Sequence, residues 1–242
     1  TPAGSVTPGD LAAMSKPFPP FVGLIVRKDY SDLAGDSLPK WKDDNGADWT
    51  EFVRGGKAGT SRRLPGWDVI DNDMLRFTAN SGTGTITGGF GDSGYVVNQM
   101  NICMAIAVNP VSGAVAMVGT DATNEIRFEP NLTGTFVRVM LSVVNGNTGA
   151  QVALQDLNEA HLDAAQGGVG QAYSDGSVPQ AERNKSIGDP RGIAFHPGGA
   201  RMYITGMGSN NVIVVDATTG QRLGGIGHTI EVGEGPTGAK HH

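Results

Sequence analysis

Short apolar runs follow one another along the chain, and glycine, proline or asparagine ends most of them. Clear examples lie at 22–26, 102–106 and 212–215. Runs of about four to eight residues with period-2 alternation are typical of β-strands. One exception lies at 156–165, where Asp156 at the N-cap position and Glu159 three residues later predict a short helix. The pattern therefore predicts an all-β fold with one short helix.

The runs also form an internal repeat. Each of two copies contains an alternating strand that ends at a polar residue and proline, then a glycine-containing turn, a second strand and a third strand. The third strands are expected at 126–128 and 212–215. A further copy of this strand aligns 72–82 with 210–220 and places Gly82 opposite Gly220. Such self-similarity is typical of repeat architectures.

The last repeat defines the length of one unit. A Pro-x-Gly motif begins at Pro190 and again at Pro236, 46 residues later, which suits one four-stranded propeller blade. We therefore expect an antiparallel four-stranded sheet over 189–234. Its strands are expected at 192–196, 200–205, 211–216 and 228–232.

The repeat also predicts which side chains are buried. Alignment of the two first strands makes Ile106 equivalent to Ile193, and Val108 equivalent to Phe195. All four are therefore expected to be buried.

The last repeat reads Pro-x-Gly-Ile-Ala-x-x-Pro-Gly-Gly, then Met-Tyr-Ile-Thr at 202–205, then Asn-Asn-Val-Ile-Val-Val-Asp-Ala-Thr-Thr-Gly. This pattern resembles the YVTN family of β-propeller repeats, whose signature tetrapeptide falls at 202–205. The resemblance is good over 189–238, fair over 101–130 and partial over 66–82. It implies four-stranded antiparallel blades of a β-propeller in an incomplete ring. It implies no particular activity, because these repeats occur in surface-layer, periplasmic and cofactor-dependent proteins alike.

About three blades are recognisable, fewer than the four to eight of closed propellers. The first strand is expected at 21–28. The expected segments are an extended leader at 1–20, a first, decorated blade region at 21–100, a second blade at 101–188 with a long insertion at 145–187, a third blade with the start of a next one at 189–239, and a remnant of a polyhistidine tag at 240–242. An open array leaves strand edges unpaired. The expected partners are therefore the remaining blades of the same propeller or a second copy of the chain.

The net charge and the apolar stretches of the chain limit which classes of partner are expected. The net charge of −6 argues against non-specific nucleic-acid binding, since that binding needs a basic surface. No apolar stretch reaches the roughly 18 residues that a transmembrane helix needs. The resemblance to YVTN repeats implies an extracellular or periplasmic location and is compatible with a protein or a glycan as the ligand.

Closely spaced oxygen-bearing side chains lie around the turn at Gly46. Asp43, Asn45 and Asp48 offer the carboxylate and amide oxygens that calcium prefers, so calcium is the one cofactor that the sequence suggests. The spacing does not match an EF-hand. The alternative interpretation is an Asn-Gly turn with solvated acids.

The remaining reactive side chains favour structural roles. Cys103 lies in an apolar run and is expected to be a buried strand cysteine. Asp68, Asp71 and Asp73 are expected to cap a loop or face a central channel, and His196 is expected to be a turn residue. The chain contains neither a Cys-x-x-Cys-His haem motif nor a Gly-x-Ser-x-Gly motif.

Two functions fit these features. The first is a non-enzymatic β-propeller segment that acts as an exported binding or scaffold module. The alternative is a fragment of a propeller-containing periplasmic oxidoreductase whose cofactor site lies outside this chain. A Cys-x-x-Cys-His motif or a ligating histidine further along the gene would favour the oxidoreductase, and further plain repeats would favour the scaffold.

Overall fold

The computed structural model describes eight stretches of the chain, and they fall into two compact units. The units comprise 1–71 with 123–132, and 72–122 with 133–242. The described stretches are 26–35, 37–43, 46–54, 72–88, 95–122, 137–159, 177–224 and 228–240.

The first unit contains a β-hairpin and one turn of helix. Strands β1 (Arg27–Leu33) and β2 (Pro39–Lys42) pair antiparallel, and helix α1 spans Thr50–Val53. Trp49 and Phe52 are buried against each other, with ring centroids 5.5 Å apart. Of the strand expected at 21–28, residues 21–25 lie outside the described residues, and 27–28 form the start of β1.

Within its described residues, the second unit contains antiparallel strands and one short helix. Its small sheets pair β3 with β6 and β4 with β5, and its two larger sheets each have four strands. The elements are β3 (Met74–Leu75), β4 (Phe77–Asn80), β5 (Thr85–Gly88), β6 (Tyr95–Val96), β7 (Ile102–Val108), β8 (Val115–Ala122), β9 (Val137–Val144), β10 (Gln151–Asp156), α2 (Gln180–Arg183), β11 (Pro190–Phe195), β12 (Arg201–Gly206), β13 (Asn211–Asp216) and β14 (Thr229–Glu231). The predicted all-β class with four-stranded antiparallel sheets is confirmed.

The second sheet, β11–β14, matches the expected strands closely. Its strands lie in chain order, and each pairs antiparallel with the next. Its observed bounds differ by no more than two residues from the predicted ones. Alternating apolar residues in β11 and β12 and the apolar run of β13 explain the success, because these three strands have deeply buried side chains.

The first sheet, β7–β10, has an unexpected fourth strand. Strand β10 lies inside the span that was predicted to be an insertion, 145–187, and pairs with β9. Asp156 ends this strand instead of starting a helix, and 157–159 form a turn. The third strand is β9, whereas the strand expected at 126–128 and residues 160–176 lie outside the described residues.

The two four-stranded sheets pack on each other through one apolar core, which we call the shared core. Strand β11 of the second sheet lies beside β7 and β8 of the first. From the second sheet the core takes two cross-strand rows, Ile193, Ile204, Ile213 and Phe195, Met202, Val215. From the first sheet it takes Ala105, Ala107, Ala116, Val118, Leu141 and Val143. Alanines on β7 and β8 therefore share one core with larger side chains on β11 and β12.

The burial expected for the first strands holds for one sheet and is wrong for the other. Ile193 and Phe195 are each 8% exposed, but Ile106 and Val108 are each 60% exposed. The register positions are equivalent all the same, because Ile106 pairs with Met117 as Ile193 pairs with Ile204. The difference arises because the first sheet covers the Ile193 face, whereas Ile106 lies on the side of β7 that points away from the shared core.

Candidate interaction surface

A five-residue turn recurs in the second unit, where it follows the ends of strands β4, β7, β9 and β13. It has the sequence Asn/Asp-x-x-Ser/Thr-Gly. Its first side chain accepts hydrogen bonds from the second and third following backbone N–H groups, at 2.8–3.2 Å. Its final glycine has a positive φ of 66–72°. The four turns are 80–84, 109–113, 145–149 and 216–220.

The alignment of 72–82 with 210–220 identified this turn only in part. The structure places Asn80 where the last repeat has Asp216, so Gly84 and not Gly82 is the counterpart of Gly220. The spacing of an Asx residue to a glycine four positions later was the signal that would have given the correct alignment. Because the side chain of Asn or Asp replaces a backbone acceptor in such a turn, the motif fixes the loop locally.

One of these turns forms a hydrogen bond between the two four-stranded sheets. The buried Asn109 donates from its Nδ2 to the backbone oxygen of Gly199, at 2.8 Å. Gly199 lies in the β11–β12 turn with φ +72°, and an added Cβ would come within 2.7 Å of Asn109 Oδ1 and 2.9 Å of Val111 Cβ. The two hairpin turns therefore meet at a point where only glycine fits.

A buried polar cluster forms a second set of hydrogen bonds between the two sheets. Asn158, which follows β10, exchanges two 2.8 Å hydrogen bonds with the backbone of Ile187, just before β11. Arg222 donates to the backbone oxygens of Leu157 and Lys185, and to Thr229 Oγ1 at 3.0 Å. Burial lowers the pKa of the Arg222 guanidinium to about 10, so it stays protonated at neutral pH. These bonds satisfy buried donors and hold the loop after β10 against the second sheet.

The side of the first sheet that points away from the shared core is the candidate surface. We call it the open face. Its outer part is covered, because Met74, Val96 and Met100 pack against Met117 and Val144. Ser142 is also buried there and donates from its Oγ to Gln99 Oε1 at 2.6 Å. The open face consists of Ile106, Val108, Val115, Met117, Ser142 and Val144.

The inner part of the open face is apolar and accessible to solvent. Ile106 and Val108 are two positions apart on β7, so both side chains point to the same side of the strand, and both are exposed. Among the described strands, β7 is also the edge of its sheet, since the strand order ends with it. Exposed apolar residues next to an unpaired strand edge are typical of a surface that binds another element.

The acidic residues at 68–73 lie only partly within the described residues. Asp73 accepts a hydrogen bond from Gln99 N at 2.8 Å and one from Cys103 Sγ at 3.6 Å. Asp73 therefore holds the loop that covers the open face, which is a structural role. Asp68 and Asp71 lie outside the described residues. The expected burial of Cys103 is wrong: the thiol is exposed, because β7 is an edge strand.

The residues suggested for calcium are involved in turn and helix contacts of the first unit. Asp43 accepts hydrogen bonds from Ala47 N and Trp49 Nε1, both at 3.0 Å, and Asp48 accepts one from Thr50 N at 2.9 Å. Asn45 lies outside the described residues. Within the part of the chain that is described, no group of three His, Cys, Asp or Glu side chains could hold a metal ion. Calcium binding by Asp43, Asn45 and Asp48 stays a prediction.

One of the described histidines, His196, stabilises a turn. His196 lies at the end of β11, and its Nδ1 accepts a hydrogen bond from Gly198 N at 3.0 Å, as expected for a turn residue. The Nδ1 atom of His228 contacts the backbone oxygen of Gly224. His161 lies outside the described residues. Among the described helices, none has the length and apolar character to cross a membrane.

Comparison with known proteins gives little further information. No protein-family model matches the chain, and no curated protein matches it. Among solved structures, the chain is similar to hydrazine synthase from Kuenenia stuttgartiensis, with 14% sequence identity and a TM-score of 0.42. The match covers 60% of this chain and 40% of that chain. A likeness of this size assigns no function.

A calcium titration tests the metal prediction. If Asp43, Asn45 and Asp48 bind calcium, calorimetry on the chelator-stripped chain records heat of binding. Because the Trp49 indole donates to Asp43, its fluorescence should change in the same titration. A D43N/D48N variant should show neither signal. If the wild-type chain gives no heat and no fluorescence change, these residues only stabilise the turn.

A pair of glycine substitutions tests the contact between the two hairpin turns. Gly113 and Gly199 both have a φ of +72°, but an added Cβ has nothing within 4 Å at Gly113 and is crowded at Gly199. Gly113→Ala should therefore cost only the backbone strain, about 1–2 kcal/mol. Gly199→Ala should cost at least about 1 kcal/mol more, because it also separates the turns. Chemical denaturation measures both, and equal losses would argue against the contact.

Proposed function

We propose that this chain is a β-propeller segment of the YVTN repeat type that acts as an exported, non-enzymatic binding or scaffold module. In this proposal the two four-stranded sheets are consecutive blades, and β7 and β11 are their inner strands. The surface that binds a protein or a glycan is built from the blade faces and loops. Calcium at Asp43, Asn45 and Asp48 is the one cofactor in the proposal.

The observation that supports this proposal most strongly is the packing of one sheet on the next. Strand β11 lies beside β7, and the first strand of each sheet is followed by three others in chain order. Each sheet of a propeller packs a whole face on its neighbour, so that a rigid body forms without any helix layer. The shared core, the Asn109–Gly199 hydrogen bond and the Arg222 cluster supply such a contact here.

A rigid pair of blades suits a scaffold because its loops hold fixed positions. The recurring Asn/Asp-x-x-Ser/Thr-Gly turns hold one set of loops through side-chain hydrogen bonds. Loops on a rigid framework are the usual place for binding residues. The oxidoreductase alternative stays a prediction, since its cofactor groups would lie outside this chain.

Hydrogen exchange tests whether the two sheets form one rigid platform. Ile193→Ala removes a buried aliphatic from the shared core and should cost about 2–5 kcal/mol. Because both sheets depend on that core, amide protection should fall together in β8–β9 and in β12–β13.

The matched control is Ile106→Ala, the equivalent substitution on the open face. Its stability effect should stay within about 0.5 kcal/mol, as for an exposed side chain. If Ile193→Ala lowers protection in β11–β14 alone, the sheets are separate folding units and the scaffold proposal fails.

A further inference from the structure

The two larger sheets of the second unit present corresponding faces, one covered by a whole sheet and the other covered only in part. In the second sheet, the Ile193 row and the Phe195 row are covered by the first sheet. In the first sheet the corresponding rows begin with Ile106 and Val108, each 60% exposed. Among the described residues, Met74, Val96 and Met100 cover the outer part of this open face.

The occupied interface shows what kind of surface fits such rows. Ala105 and Ala107 on β7 pack against the core that contains Ile193 and Phe195, and their small side chains let β7 and β11 lie close together. A complementary partner for Ile106 and Val108 is therefore a β-sheet face with small residues on its first strand. Close packing of large on small side chains is what gives such a contact its strength.

The chain itself carries a face of this kind, on the side of the second sheet that points away from the shared core. Gly192 and Ala194 lie there at the register positions of Ala105 and Ala107. Ala194 and Tyr203 are partly exposed, and Gly238 lies against Gly192 without covering them fully. We call this side the reverse face. Tyrosine is enriched in protein interfaces.

We propose that the open face of one copy of this chain docks onto the reverse face of a second copy, so that Ile106 and Val108 pack against Ala194 and Tyr203. This proposal rests on the blade arrangement proposed above. The contact would continue the interface that already covers Met117 and Val144 on the same sheet. It is heterologous, because two different surfaces meet, and such contacts build rings or open arrays.

Sedimentation and light scattering across a concentration series test the proposal. The wild-type chain should show a mass that rises above the 25.1 kDa of the monomer as concentration increases. Val108→Lys on the open face and Ala194→Lys on the reverse face should each stay monomeric. Val152→Lys, on the exposed outer strand β10, is the matched control and should associate like the wild type.

Mixing the two monomeric variants separates this docking from the alternatives. Each variant keeps one intact surface, so an equimolar mixture should recover a dimer. If Ala194→Lys alone still dimerises, two open faces pair symmetrically and the proposal is wrong. A wild-type chain that stays monomeric up to its solubility limit also overturns it, and this result leaves the hydrogen-exchange test of the scaffold unaffected.

Circular dichroism melts show whether each variant is folded. If Ala194→Lys fails to fold, Tyr203→Lys takes its place on the reverse face, with the same expected monomer and the same recovery on mixing with Val108→Lys. If two folded variants form no dimer when they are mixed, heterologous docking is contradicted.

Discussion

The packing of alanine side chains on β7 and β8 in one core with isoleucine, phenylalanine and methionine on β11 and β12 sets the arrangement of the two larger sheets. Small side chains on one sheet let the other sheet approach until its larger side chains fill the space between them. The other contacts between the sheets depend on that approach. Asn109 reaches Gly199 because the two first strands lie side by side, and Arg222 reaches the backbone oxygen of Leu157, whose side chain is part of the shared core.

Polar groups at the two ends of the shared core make the arrangement specific. An apolar contact alone tolerates sliding, whereas buried donors and acceptors must find their partners. Asn158 satisfies both backbone groups of Ile187, and Arg222 is surrounded by backbone oxygens and a hydroxyl group. The recurring Asx turns add local order at the strand ends, so that each sheet presents its loops in a fixed position.

The sequence predicts the second sheet well and the first sheet less well, for physical reasons that particular residues show. Strands β11 and β12 alternate because one face of each is deeply buried, and β13 is an uninterrupted apolar run, Val212–Val215, that is buried on both faces. Strand β10 was missed because its apolar residues, Val152, Ala153 and Leu154, form a run of only three without alternation, and because Asp156 followed by Glu159 is the pattern of a helix start. The same Asp156 side chain accepts from Asn158 N and Glu159 N in a turn, which uses the same hydrogen bonds as an N-cap. Burial of Ile106 could not be read from the pattern, because periodicity shows which way a side chain points and not what covers it.

A double-mutant cycle between the sheets tests the shared core most directly. Ala107→Leu should overfill the space opposite β11 and cost about 1–3 kcal/mol. Phe195→Ala removes volume from the same core, so the double variant should recover part of that loss. We expect a coupling of about 0.5–3 kcal/mol between the two positions in chemical denaturation. Strictly additive losses would mean that Ala107 and Phe195 do not share a core, and would contradict the packing of one sheet on the other.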